Sequence, residues 1–82
     1  MIRGTVIGTI VSTRKVESLV GSKFLEVQLS SDGKDTNDYI IAIDTVGAGI
    51  GEKVLITTGS SARLALDNTS TPTDAVIVGI ID

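Results

Sequence analysis

Asp44-Thr45-Val46-Gly47-Ala48-Gly49-Ile50-Gly51-Glu52-Lys53-Val54-Leu55-Ile56, continued by Thr57-Thr58 and then Gly59-Ser60-Ser61-Ala62-Arg63, joins a strand end, a glycine-rich turn, a second strand and a helix start. Ser60 stands where an N-cap would, ahead of the helix-compatible run Ser61 to Leu66, which makes at most two turns. Three glycines at alternate positions invite a phosphate-loop reading, but the spacing fails. A dinucleotide fingerprint would need glycine where Glu52 stands, and no Gly-Lys-Ser/Thr run is present. A strand comes after the turn, so no helix N-terminus is aimed at it. Close packing of backbone is the better use for Gly47, Gly49 and Gly51, and the stretch speaks of geometry rather than chemistry.

Outward from this stretch, the chain reads as strands. Ile2 to Thr13 has period-two spacing, with Ile2, Val6 and Ile10 on one face and Thr5, Ile7, Thr9 and Val11 on the other. Gly4 and Gly8 interrupt it as points where the strand bends or another backbone comes close. Arg14 to Ser22 is a polar loop. Leu25, Val27 and Leu29 alternate with Phe24, Glu26 and Gln28 in a second strand, which ends at an Asp32-Gly33 reversal. A third strand runs from Asp38 to Asp44, with Tyr39, Ile41 and Ile43 opposite Ile40 and Ala42. The fourth is Lys53 to Thr58. After the helix, Asp67 to Asp74 is a loop. Ala75 to Ile81 forms a last strand that is apolar on both faces and therefore buried on both sides, in the barrel or against a second subunit. Five short strands with one small helix between the fourth and fifth give an all-β fold, a small closed or nearly closed OB-like β-barrel, with an open sandwich as the alternative.

Composition limits the function. The 82 residues make one domain, which buries only about 60–65% of its unfolded surface and is correspondingly marginal. No cysteine or histidine is present to supply a disulfide or the usual zinc site, so oligomerisation is the remaining support. The net charge of −3 and only two aromatics, Phe24 and Tyr39, argue against the stacking platform and basic groove of a nucleic-acid-binding barrel. No secretory leader or membrane-length apolar run is apparent, which leaves a cytoplasmic protein as the expectation. Asn68-Thr69-Ser70 matches a glycosylation acceptor pattern that means nothing without export.

Catalysis lacks its parts. Ser60 and Ser61 have no histidine base and read as capping residues. A pair of carboxylates could in principle run acid–base chemistry, but Asp44, Glu52, Asp74 and Asp82 all lie beside strand ends, where carboxylates usually form turns or stay solvated. Arg63 can instead form a structural ion pair with Asp44 or Asp74, fixing a loop or a subunit boundary.

These residues resemble the EutN/CcmL family, the vertex proteins of bacterial microcompartment shells. The resemblance covers nearly the whole chain: Gly8 to Thr13, Asp44 to Leu55, Gly59 to Arg63, and Pro72 to Asp82. It implies an OB-like barrel that assembles into a cyclic homopentamer at the five-fold corners of a shell otherwise tiled by hexameric proteins. It also implies a structural role without enzymatic activity, cofactor, metal, nucleic acid or membrane. By position, Gly47, Ala48 and Gly49 and the helix start Ser60, Ser61, Ala62 and Arg63 become subunit-contact or pore-vicinity elements. Relatives often continue beyond the position of Asp82, so contacts here are expected to rest on barrel surfaces. The rival reading is an OB-type module for single-stranded nucleic acid.

Overall fold

The computed structural model describes residues 1–66 and 71–82. Five strands, β1 (Ile2–Ile10), β2 (Lys23–Ser31), β3 (Lys34–Asp44), β4 (Lys53–Thr58) and β5 (Ala75–Ile81), close into a barrel in the order β1-β2-β3-β5-β4, with one helix, α1 (Ser60–Ala65), between β4 and β5. Closure excludes the open sandwich. All pairings are antiparallel except β3 with β5, which run parallel and meet only at Ile43↔Val76 and Asp44↔Ile77.

Alternation explains the core. Val6, Leu25, Val27, Ala42, Val54, Ile56, Ala75 and Ile77 point inward and are buried together with Ala48. A second cluster lies on the opposite face of the sheet, where Ile43, Ala62 and Val76 pack with Leu19, Phe24, Leu66 and Val78. The apolar-on-both-faces character of β5 thus has a physical outcome, since Ala75 and Ile77 enter the first cluster while Val76 and Val78 enter the second. Its later residues, Val78 to Ile81, are only half-buried. Each fully buried large aliphatic contributes about 1.5–3 kcal/mol relative to exposure.

Three expectations need correction. β1 stops at Ile10 rather than Thr13, because Ile10 pairs with Phe24 and β2 starts only one residue before it, leaving Ser12 and Thr13 beyond the end of the partner strand. Gly8 makes no close approach: the register with β2 shifts between Val6 and Gly8, a bulge at which the strand bends, the alternation of exposure continues with Gly8 and Ile10 half-buried and Ile7 and Thr9 exposed, and a Cβ at Gly8 would meet nothing within 4 Å. Gly4 is the real close approach, since a Cβ there would fall against Val27 and lie 2.6 Å from the Gln28 carbonyl oxygen.

β3 begins at Lys34 rather than Asp38. Its polar first residues become strand because a two-residue reversal, with Asp32 at φ 53° and Gly33 at φ 75°, pins Lys34 opposite Ser31. The polar loop Arg14–Ser22 contains a 3₁₀ turn at Glu17–Leu19, which brings Leu19 onto the second cluster. Part of the loop expected from Asp67 to Asp74, including Asn68-Thr69-Ser70, lies outside the described residues.

Candidate functional site

The glycine-rich turn is held by side chains from its own ends. Asp44, at the end of β3, accepts three backbone N–H groups: Val46 donates to Oδ1 at 3.1 Å, and Gly47 and Ala48 donate to Oδ2 at 3.0 Å each. Glu52 accepts the next, from Gly49, at 2.8 Å. Four successive amides that would otherwise compete for water are thereby fixed by two carboxylates, and bonds to ionised acceptors are the stronger kind. The Asp44 side chain is only 2% exposed and sits 3.9 Å from Lys23 Nζ, which also donates to the Ala48 carbonyl at 3.3 Å. Thr45 ties the turn to the barrel by donating its hydroxyl to the Ile77 carbonyl at 2.7 Å.

The turn also docks on β1. The Gly51 N–H donates to the Val6 carbonyl at 2.8 Å, and the Val6 N–H donates to the Glu52 carbonyl at 3.0 Å. Ala48 drops into the core as a buried plug. The expectation that these glycines serve close packing is therefore corrected within the chain. A Cβ on Gly47 or Gly51 would meet nothing within 4 Å, and their φ values of 79° and 90° show that they are needed for backbone conformation. Gly49 is exposed, and a Cβ there would make an ordinary 3.4 Å contact with Glu52 Oε1.

At the helix start, the capping expectation fails for Ser60. Gly59 holds the N-cap position at φ 69°, no side chain caps the helix, and Ser60 is already helical. Ser61 turns back instead. Its hydroxyl donates to the Thr58 carbonyl at 2.7 Å and lies 2.8 Å from Thr57 Oγ1. Ala62 is wholly buried, so its side chain serves the second cluster and offers nothing to a neighbour. Arg63 donates to the Thr73 carbonyl at 3.1 Å. The expected ion pair of Arg63 with Asp44 or Asp74 is not formed within the chain; among the described residues the one salt bridge is Lys23–Asp44.

These contacts also bear on chemistry. The carboxylate of Asp44 is engaged through both oxygens by three backbone amides and that of Glu52 through Oε1 by one, so both serve to hold the turn. A cleft of about 310 Å³ lies between Arg3, Ser30, Asp35, Lys53 and Asp82, where cations and carboxylates mix and the Ser30 hydroxyl donates to Asp35 Oδ1 across a long 3.4 Å. Phe24 is packed into the second cluster while Tyr39 stands exposed on β3, so the two aromatics make no common stacking surface. The anchoring by Lys23 and Thr45 was not foreseen, and no local sequence pattern marks either residue, because their partners lie 25 and 32 positions away.

Comparison with known proteins places this architecture. The family described as "Ethanolamine utilisation protein EutN/carboxysome" matches residues 1–82. The chain is similar to the carboxysome shell vertex protein CcmL of Thermosynechococcus vestitus, with 50% identity over 78 residues, spanning 94% of this chain and 79% of that protein. The solved structure of Gloeobacter violaceus CcmL superposes with a TM-score of 0.94 at 47% identity, covering all of this chain and 86% of the other. The GrpN pentameric microcompartment shell protein of Rhodospirillum rubrum superposes with a TM-score of 0.90 at 44% identity, covering all of this chain and 94% of GrpN.

Proposed function

The chain belongs to the EutN/CcmL family of shell vertex proteins, and from that premise we propose that it assembles into a cyclic homopentamer that caps the five-fold vertices of a microcompartment shell in the cytoplasm. The observation that carries this reading is the match of the entire barrel to GrpN, a pentameric shell protein. The role is structural. A sheet tiled by hexamers stays flat, and units of five-fold symmetry supply the corners that let it close, so hexameric shell proteins are the expected neighbours at the rim.

A ring of identical copies uses a head-to-tail contact, in which two different surfaces of each subunit are complementary. We assign such contacts to the turn at Gly47 to Gly49 and the start of α1 at Ser60 and Ser61, a reading supported by the exposure of Gly47, Gly49, Ser60 and Ser61. Ala48 and Ala62 act from beneath, by fixing the backbone that carries their neighbours. Arg63, with its guanidinium on the Thr73 carbonyl, holds the connection into β5 in place.

Native mass spectrometry of the purified chain tests the proposal, with a dominant species of five copies expected. A single copy at high concentration, or a ring of six, overturns it.

A further inference from the structure

Among the described residues, Asp32 is the one residue other than glycine that holds a positive φ, 53°. An L-residue is kept there at a cost of about 1–2 kcal/mol, because its Cβ crowds the following carbonyl oxygen. Gly33 comes next at φ 75°, and Asp32-Gly33 is the one step in the chain where glycine succeeds an aspartate or an asparagine. Both residues are exposed. A Cβ built on Gly33 would meet nothing within 4 Å, so the space beside its amide is open. Asp35 accepts from Ser30 and Asp44 from three amides, whereas the one salt bridge among the described residues, Lys23–Asp44, leaves Asp32 out.

We propose that Asp32-Gly33 is a site of spontaneous backbone modification: Asp32 cyclises onto the Gly33 amide and reopens in part as isoaspartate and D-aspartate, and the hairpin keeps the D-residue but not the isoaspartyl linkage. In the first step the Gly33 nitrogen attacks Asp32 Cγ. A C–N bond forms, the C–OH bond of the protonated carboxyl breaks, and the hydroxyl leaves with the amide proton as water. Water then adds to one of the two ring carbonyls and cleaves its C–N bond. Opening at the side-chain carbonyl restores aspartate, and opening at the main-chain carbonyl leaves isoaspartate. While the ring is closed it also acidifies the Cα–H, and a proton lost to solvent and regained on the opposite face gives the D-form.

The fold supplies the approach. Bringing the Gly33 nitrogen round to Asp32 Cγ turns the peptide plane between them, which exchanges the two kinds of two-residue hairpin turn and leaves Lys34 opposite Ser31. Gly33 follows that flip freely, since glycine takes either sign of φ. The products then diverge. A positive φ is the mirror image of the ordinary right-handed region, so D-aspartate fits position 32 without the crowding that the L-residue bears. Isoaspartate threads an extra carbon into the main chain of a two-residue reversal, and Ser31 no longer meets Lys34 in register.

Cleavage after Lys23 and Lys34 releases residues 24–34, in which Asp32 is the only aspartate, so chromatography of that peptide and chiral analysis of its aspartate read this one site. The full chain is aged for weeks at neutral pH and body temperature, folded and, in parallel, unfolded in urea. Isomers of 24–34 should accumulate in the folded chain at least about tenfold faster than at any aspartate of residues 35–53, a barrier difference of about 1.4 kcal/mol. Asp32→Gly should give none, and Asp32→Asn, which forms the same ring by releasing ammonia, should give the same isomers. Brief proteolysis of the aged chain in moderate urea, which removes unfolded molecules, should leave D-aspartate enriched over isoaspartate at least about fivefold among the survivors, the ratio set by about 1 kcal/mol. A folded chain whose peptide 24–34 stays single overturns the site, whatever the unfolded chain does, and so does an unchanged Asp32→Asn. Equal survival of the two products overturns the discrimination assigned to the hairpin.

Discussion

The two connections that flank β4 are built on different plans. The turn before it gathers three of its amides on one buried carboxylate, Asp44, with Glu52, Thr45 and the backbone bonds to Val6 each adding a single contact. The helix after it spreads its support: Gly59 donates its N–H to the Asp74 carbonyl at 2.9 Å, Ser61 bonds back to Thr58, Arg63 reaches Thr73, and no side chain caps the first turn. A surface whose largest share of support falls on one group is the more exposed to a single substitution. A surface held by several weaker groups yields a little at each.

This contrast can be broken experimentally. Asp44→Ala should have the largest effect, about 3 kcal/mol in urea unfolding, because it strips the acceptor from three turn amides and leaves Lys23 without its partner. For a domain of this size that is a fall in Tm of roughly 15 °C, and a loss below about 1 kcal/mol would show that the turn is not so concentrated. Ser61→Ala should cost about 1 kcal/mol, the value of one hydroxyl bond beside a half-exposed helix. A cost comparable to that of Asp44→Ala would erase the distinction.

Gly49→Val sharpens the comparison on a different axis. With a non-positive φ and space for a Cβ, the folded protomer should lose less than about 1 kcal/mol. Light scattering should nevertheless show a weakened ring, and an intact pentamer would remove Gly49 from the contact surface. Ser60→Ala is expected to do least, within about 0.5 kcal/mol in thermal unfolding, since no cap is formed by its hydroxyl. A loss near 1 kcal/mol would restore the capping role.

Much of the barrel was legible in the sequence because its strands obey simple alternation. Leu25 and Val27 against Phe24 and Glu26, or Ile77 between Val76 and Val78, divide between two faces in a way that period two requires. The failures share a cause. The bulge after Val6 and the parallel meeting of Ile43 with Val76 depend on partners far away in sequence, and the polar arm Lys34–Asn37 is strand only because its hairpin mate makes it so. For the candidate site, the positions of the turn and helix start could be read from the resemblance, and Asp44 from its turn-forming habit. That Ala48 and Ala62 face inward could not, because alanine carries too little hydrophobic signal to declare a side.

The parallel seam between β3 and β5 also dictates an order of events during synthesis. The hairpins of β1, β2 and β3 connect neighbours in the chain and can zip up as soon as they clear the ribosome. The cylinder, by contrast, cannot shut until residues 75–77 emerge to bridge Ile43 and Ile56. Until then the nascent polypeptide can form at most a curled four-stranded sheet, β4-β1-β2-β3, with one side of the barrel open over Leu25 and Val27, and its safety depends on how quickly translation delivers the closing segment.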